Sequence, residues 1–166
     1  IQSYYEASLA LTQPRPPFNF HDARRPIFTH PRFLAPTRMH GARVKDALVA
    51  DGCFIAENVE IEQSVIGIRS RIGAGSRLRR SLVLGADDYE TPEEIEAAAT
   101  RGLPPIGIGE NCIIEGAIID KNARIGRNVR ILNEARATER DADTHYVREG
   151  IVIVPKAAVI PDGTVI

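Results

Sequence analysis

Residues 55–78 read IAENVEIEQSVIGIRSRIGAGSRL, and residues 108–131 read IGENCIIEGAIIDKNARIGRNVRI. Shifted by 53 positions, the two stretches overlay without a gap. Ile55, Glu57, Asn58, Ile61, Glu62, Ile66, Arg71, Ile72, Gly73 and Arg77 meet identical residues at Ile108, Glu110, Asn111, Ile114, Glu115, Ile119, Arg124, Ile125, Gly126 and Arg130. Within each copy an aliphatic residue recurs every six positions: Ile55 and Ile61, Ile72 and Leu78, then Ile108 and Ile114, Ile125 and Ile131. Both copies lose one residue at the same place, between Ile61 and Ile72 and between Ile114 and Ile125. A period of six suits neither a helix nor an alternating strand. It suits a parallel β-helix of hexapeptide repeats, in which three hexads make one coil.

In that reading the first aliphatic residue of each hexad points inward and stacks on its equivalent in the next coil. A small or aliphatic residue four places later is also expected inside: Cys53, Val59, Val65, Ser76, Leu82, Cys112, Ile118 and Val129. The last tract follows the same rule with Val154, Ile160 and Ile166, and Val159 and Val165 are placed inside with them. Asn and Gly at the corners fit turns that need positive φ. A β-sandwich of similar strands would not explain a deletion shared by two repeats.

The chain has 166 residues, enough for one domain with a sizeable core. Its net charge is −1 with 26% charged residues, which argues against a nucleic acid or an anionic membrane as a bulk electrostatic partner. No apolar run reaches membrane-spanning length, and no signal peptide is visible. Cys53 and Cys112 read as buried small hydrophobes rather than a disulfide or a metal site. An opening Ile1 suggests a fragment or a processed piece.

Residues 1–13 predict a short helix ended by Pro14. Residues 14–40 are rich in Pro and Arg, and Phe18, Phe20, Phe28 and Phe33 suggest an extended segment packed on the coil or on another domain. The β-helix is assigned to residues 41–166, with its first strand near Arg43 or Val49. Residues 86–105 interrupt it; Thr91-Pro92-Glu93-Glu94 has the form of a capping box opening a helix. Residues 133–149 are charged and aperiodic and read as a surface loop.

Enzymes on hexapeptide coils commonly work through histidines. His21, His30 and His40 are placed before the coil, His145 in the second excursion, and none on a hexad turn. No pair has zinc-ligand spacing, no Ser/His/Asp constellation is visible, and no glycine-rich phosphate loop is present. A stand-alone acyltransferase is therefore disfavoured. Cationic corners remain. Lys121 lies in Asp120-Lys121-Asn122, Lys156 follows Pro155, and Arg32 lies in His30-Pro31-Arg32. Such groups suit a small phosphorylated anion, or are solvated surface charge.

Several runs carry a family likeness: Tyr4-Tyr5-Glu6-Ala7, Pro31-Arg32-Phe33-Leu34, Val65 to Arg71, Gly85-Ala86-Asp87-Asp88-Tyr89-Glu90-Thr91, Gly107 to Asn111 and Ile118 to Gly126. Together they resemble the carboxy-terminal region of ADP-glucose pyrophosphorylase (glucose-1-phosphate adenylyltransferase) of the plant, algal and cyanobacterial branch. Gly52-Cys53-Phe54-Ile55 looks more like the large subunit. The resemblance implies an all-β, left-handed parallel β-helix domain with regulatory and oligomerisation roles. It implies that residues 1–40 lead from an amino-terminal nucleotidyltransferase domain, absent here, which carries the Mg²⁺ site and joins ATP and glucose 1-phosphate. It implies no cofactor in this chain, a tetrameric partner set and a plastid stroma, or a cyanobacterial cytoplasm. It further implies that 3-phosphoglycerate activates and phosphate inhibits. Lys121, in the family's Asp-Lys-Asn-Ala-Arg motif with Asp120, and Lys156 match its activator lysines. Arg32 matches the arginine of a Gln-Pro-Arg anion triplet whose glutamine is His30 here. The alternatives are a stand-alone hexapeptide acyltransferase, disfavoured as above, and a purely structural assembly module.

Overall fold

The protein's structure, a computed structural model, describes residues 1–28 and 30–166. It opens with α1 (Gln2–Ala10). Three short strands then recur around each coil. They are β1 (Arg38–Met39), β2 (Arg43–Lys45) and β3 (Leu48–Val49), followed by β4 (Phe54–Ile55), β5 (Glu60–Glu62) and β6 (Val65–Ile66). The third coil is β7 (Arg71–Ile72), β8 (Arg77–Arg79) and β9 (Leu82–Val83), after which α2 (Pro92–Thr100) interrupts. The fourth is β10 (Gly107–Ile108), β11 (Ile113–Glu115) and β12 (Ala117–Ile119). Then come β13 (Arg124–Ile125), β14 (Arg130–Ile131), β15 (Glu139–Asp141), β16 (Tyr146–Arg148), β17 (Ile151–Val154) and β18 (Val159–Ile160).

The strands stack into three parallel sheets, one per face of a prism: β1-β4-β7-β10-β13-β18, then β2-β5-β8-β11-β14, then β3-β6-β9-β12-β17 with β16 and β15 beyond. Register stacks Met39, Ile55, Ile72, Ile108, Ile125 and Ile160 in one column. Val44, Ile61, Leu78, Ile114 and Ile131 form the second. Val49, Ile66, Val83, Ile119 and Val154 form the third. Beyond the first coil every column residue is buried. The hexad rule therefore reports the interior.

The missing residue falls at one corner. Ile61 to Ile66, Leu78 to Val83 and Ile114 to Ile119 are five apart, because the turn between the second and third faces is one residue shorter. Asp46, Gln63, Arg80 and Gly116 take positive φ there. The other corners are two-residue turns with Asn58, Asn111 and Asn128, or Arg69, Asn122 and Ala157, in the left-handed region. At Gly109 a Cβ would lie 2.4 Å from the Gly126 carbonyl of the next coil, so the side chain must be absent.

The short corner also overturns three inward placements. Counting four residues on from the aliphatic position carries the pattern across the deletion and reverses its parity. Ser64, Ser81 and Ala117 are the buried residues there, while Val65, Leu82 and Ile118 face outward from the third sheet. They stay covered because α1 lies over them with Tyr5 and Leu9, joined by Ile151 and Ile153. The Tyr5 hydroxyl donates to the Arg80 carbonyl, and burial raises its pKa. Val159 and Val165 are likewise not inside. They pair in register with the outward Arg124 and Arg130, and Val165 is 55% exposed.

Two boundaries also move. The first strand is Arg38–Met39, ahead of the expected start, because the spacing in the first coil is five rather than six and hides the repeat. Residues 133–149 are not a plain surface loop. β15 and β16 form an antiparallel hairpin that pairs with β17 and buries Val147 in the coil interior. One buried valine among charged neighbours leaves no periodicity to read. Among the described residues the phenylalanines of the Pro-rich segment are not part of the buried core. Phe18 and Phe20 meet edge to face, and Phe28 and Phe33 are 91% and 96% exposed.

Ile114→Ala, in the middle of a column, should lower unfolding free energy by about 3 to 4 kcal/mol in urea titration. Glu62→Ala, on the outer ladder with Lys45 and Arg79, should cost less than about 1 kcal/mol.

Candidate functional site

At the corner between the third and first faces, successive turns stack through backbone hydrogen bonds. Arg69 N–H donates to Asp51 O, Ala86 to Ile68, Asn122 to Gly85, and Ala157 to Lys121 at 2.9 Å. Lys121 and Lys156 thus hold the same turn position on neighbouring coils, about 4.8 Å apart along the stack. Asp120 Oδ1 accepts the Lys121 backbone N–H at 2.7 Å and fixes the turn.

The chain leaves the coil at this corner one turn earlier. Gly85, at φ +85°, closes the turn, and Asp87 is the second residue of the departing segment. Its carboxylate lies between the lysines: Lys121 Nζ is 2.8 Å from Oδ1 and Lys156 Nζ is 2.7 Å from Oδ2. Asn122 holds it from the side. Asn122 Nδ2 donates to Asp87 Oδ2 at 3.0 Å, and the Asp87 N–H donates to Asn122 Oδ1 at 2.9 Å. Hydrogen bonds from Lys121, Lys156 and Asn122, in that order, hold the Asp87 pKa well below the usual carboxylate range. The Asp87 carboxylate in turn raises that of Lys156. All three charged side chains keep partial contact with solvent.

The departing segment is bolted down at further points. The Tyr89 hydroxyl donates to Gly52 O at 2.8 Å, its ring meets Phe54 edge-on, and the Arg69 guanidinium lies 5.8 Å from its centre. A Cβ at Gly52 would fall 2.3 Å from that hydroxyl. The Glu90 side chain, 8% exposed, pairs with Arg124 at 2.5 Å and accepts the Ile106 N–H. The Thr91–Glu94 capping box then opens α2.

A groove of about 1060 Å³ lies elsewhere, along the first sheet, walled by Leu103, Pro104, Pro105 and Ile106. Its far end holds His40, whose Nε2 accepts from Arg38 Nε at 3.0 Å. Because the coil starts at Arg38, His40 stands on its first corner rather than before it. His145 is buried; Nδ1 meets the Thr144 hydroxyl, Nε2 has no partner among the described residues, and burial lowers its pKa. Among the described residues no His/Cys/Asp/Glu group could hold a metal ion.

Of the residues singled out in the sequence, Lys121, Lys156 and Asp120 share one corner. Arg32 and His30 stand exposed in the extended segment, with no hydrogen bond or ion pair to that corner among the described residues. Asp87 is the site residue that sequence reasoning misses. Nothing in its spacing shows that leaving the coil aims it at lysines 34 and 69 positions later.

A three-sided parallel coil with a cationic pair at one corner defines a hexapeptide β-helix module. The family model described as the GLGC left-handed parallel beta-helix domain matches residues 32–165, and the chain belongs to that family. It is an ADP-glucose pyrophosphorylase-related domain, left-handed as expected, from a family that forms part of a nucleotidyltransferase.

Because the Asp87 pKa is depressed, its pairing stabilises the fold above the ordinary carboxylate range and is lost as pH falls through and below it. In urea titrations the wild-type advantage over Asp87→Asn should be largest near pH 7 and shrink below about pH 4.

Proposed function

We propose that this chain is the regulatory and oligomerisation domain of a glucose-1-phosphate adenylyltransferase. That enzyme makes ADP-glucose and pyrophosphate from ATP and glucose 1-phosphate for starch or glycogen synthesis. On this reading the chain binds 3-phosphoglycerate as activator and phosphate as inhibitor, and makes no ADP-glucose alone. The observation that carries it is the stacked pair Lys121 and Lys156, both aimed at one carboxylate. Two ammonium groups on a rigid coil suit one phosphate dianion through charge-assisted hydrogen bonds. Family resemblance supports the same lysines as activator contacts, with Asp120 setting the turn. Arg32 and His30 would join only by movement of the extended segment or in the presence of the nucleotidyltransferase domain. Mg²⁺ belongs with that domain, and a plastid stroma suits the branch resembled.

Lys121→Ala should abolish calorimetric binding of 3-phosphoglycerate to this chain and activation of the parent enzyme. Unchanged binding and activation would defeat the proposal.

An open coil end supports the oligomeric part. Among the described residues no strand pairs with the first coil on its outer side, and its column residues Met39 and Val44 are 45% and 39% exposed. Such an end suits another subunit. Val44→Glu should lower the mass measured by light scattering while leaving the circular dichroism spectrum intact. An unchanged mass would place the interface elsewhere.

A further inference from the structure

The Asp87 carboxylate touches both lysines with a separate oxygen, and takes a third hydrogen bond from the Asn122 amide. All three partners are donors, arranged around one planar anion. A phosphate group asks for the same set. We propose that Asp87 is a built-in competitor for this anion site, occupying the place of the phosphate group until a dianion displaces it. The proposal rests on the effector reading of Lys121 and Lys156.

Charge supports displacement over addition. With Asp87 in place, both ammonium groups are engaged by its carboxylate, and Asp120 and Asp51 put two further carboxylates on the stacked turns against one Arg69, so the corner carries no surplus positive charge. A dianion arriving beside an engaged carboxylate meets repulsion at short range. If Asp87 withdraws, two ammonium groups and one amide N–H are released together. They match a group bearing two negative charges and several acceptor oxygens.

Connectivity supports it too. Asp87 belongs to the segment leaving the coil, whereas Lys121, Asn122 and Lys156 belong to the coil itself. Exchanging carboxylate for phosphate therefore unties the start of the insertion from the prism. The next ties, at Tyr89 and Glu90, hold the insertion whose far end, Leu103 to Ile106, walls the groove on the first sheet. Anion binding and the attachment of the insertion's first residues share one equilibrium, and a ligand that binds only the untied state shifts it.

The test is calorimetric titration of inorganic phosphate and of 3-phosphoglycerate into the 166-residue chain at low, fixed ionic strength. Asp87→Asn and Asp87→Ser should each bind both anions roughly three- to tenfold more tightly than wild type, while Lys121→Ala loses binding. Phosphate should also speed amide exchange at residue 87, whose N–H donates to Asn122 Oδ1, in wild type but not in Asp87→Asn. If both Asp87 variants bind equally or more weakly while Lys121→Ala still loses binding, Asp87 is a support for the lysines and the competitor is ruled out. Slower exchange at residue 87 on adding phosphate would show that Asp87 stays in place, and would rule out the competitor in the same way. If Lys121→Ala binds like wild type, the effector reading itself fails and this inference goes with it.

Discussion

The stacking of one aliphatic side chain per strand, coil upon coil, is the constraint from which the other features follow. The interior is thin, so each column residue relies on the one above and the one below. Burying an isoleucine contributes about 1.5 to 3 kcal/mol relative to leaving it exposed. The columns of Ile61, Ile72, Ile114, Ile125 and their neighbours thus outweigh anything the two short helices add. Stacking also dictates the corners. Every turn must bring the next strand back to the same height and face, so left-handed residues recur at equivalent positions, with Asn58, Asn111 and Asn128 at one of them. Charged ladders such as Arg43–Glu60–Arg77 decorate the outside and are exposed enough to add little.

Much of this is legible because a β-helix writes its period directly into the chain. The reading fails where period and parity part company. Val65, Leu82 and Ile118 fall into the interior only when the count runs across a corner one residue short, and a single-residue slip turns a strand over. Their apolar character is still a signal. It marks a second buried surface, supplied by α1, that a one-core reading does not contain. The first coil escapes because its spacing is five, and the β15–β16 hairpin because it buries one valine among charges. Antiparallel pairing onto a parallel sheet leaves no hexad behind.

The site is legible to a different degree. Lys121 and Lys156 sit on the same corner of neighbouring coils, and the repeat itself determines that alignment. Asp87 is hidden because its position depends on where the chain leaves the coil, which the repeat does not describe. Asn122 is instructive. A residue of that type is expected at a left-handed turn, and here its side chain also grips the departing segment at both its backbone N–H and its carboxylate. One residue serves the fold and the site together. Arg32 and His30 lie exposed on a segment with no period, and among the described residues no hydrogen bond or ion pair ties them to the corner.

A stacked coil is a poor transmitter of a signal. Its columns are packed and its turns hydrogen-bonded, so moving one coil means moving all of them. A regulatory ligand needs an element with two arrangements. On the proposed reading the insertion is that element, because it meets the prism through separate ties and the Tyr89–Phe54 ring contact rather than through a shared column. Glu90 and Arg124 form the tie with the least solvent around it, and breaking a buried pair leaves an uncompensated charge. Asp87 is the more exposed tie, and its partners are the long, flexible side chains of two lysines. Water can solvate the carboxylate when it leaves, and an incoming anion can satisfy the lysines. On the proposed reading, the tie that can be exchanged at low cost is therefore the one touching the ligand, while the dry one keeps the insertion attached.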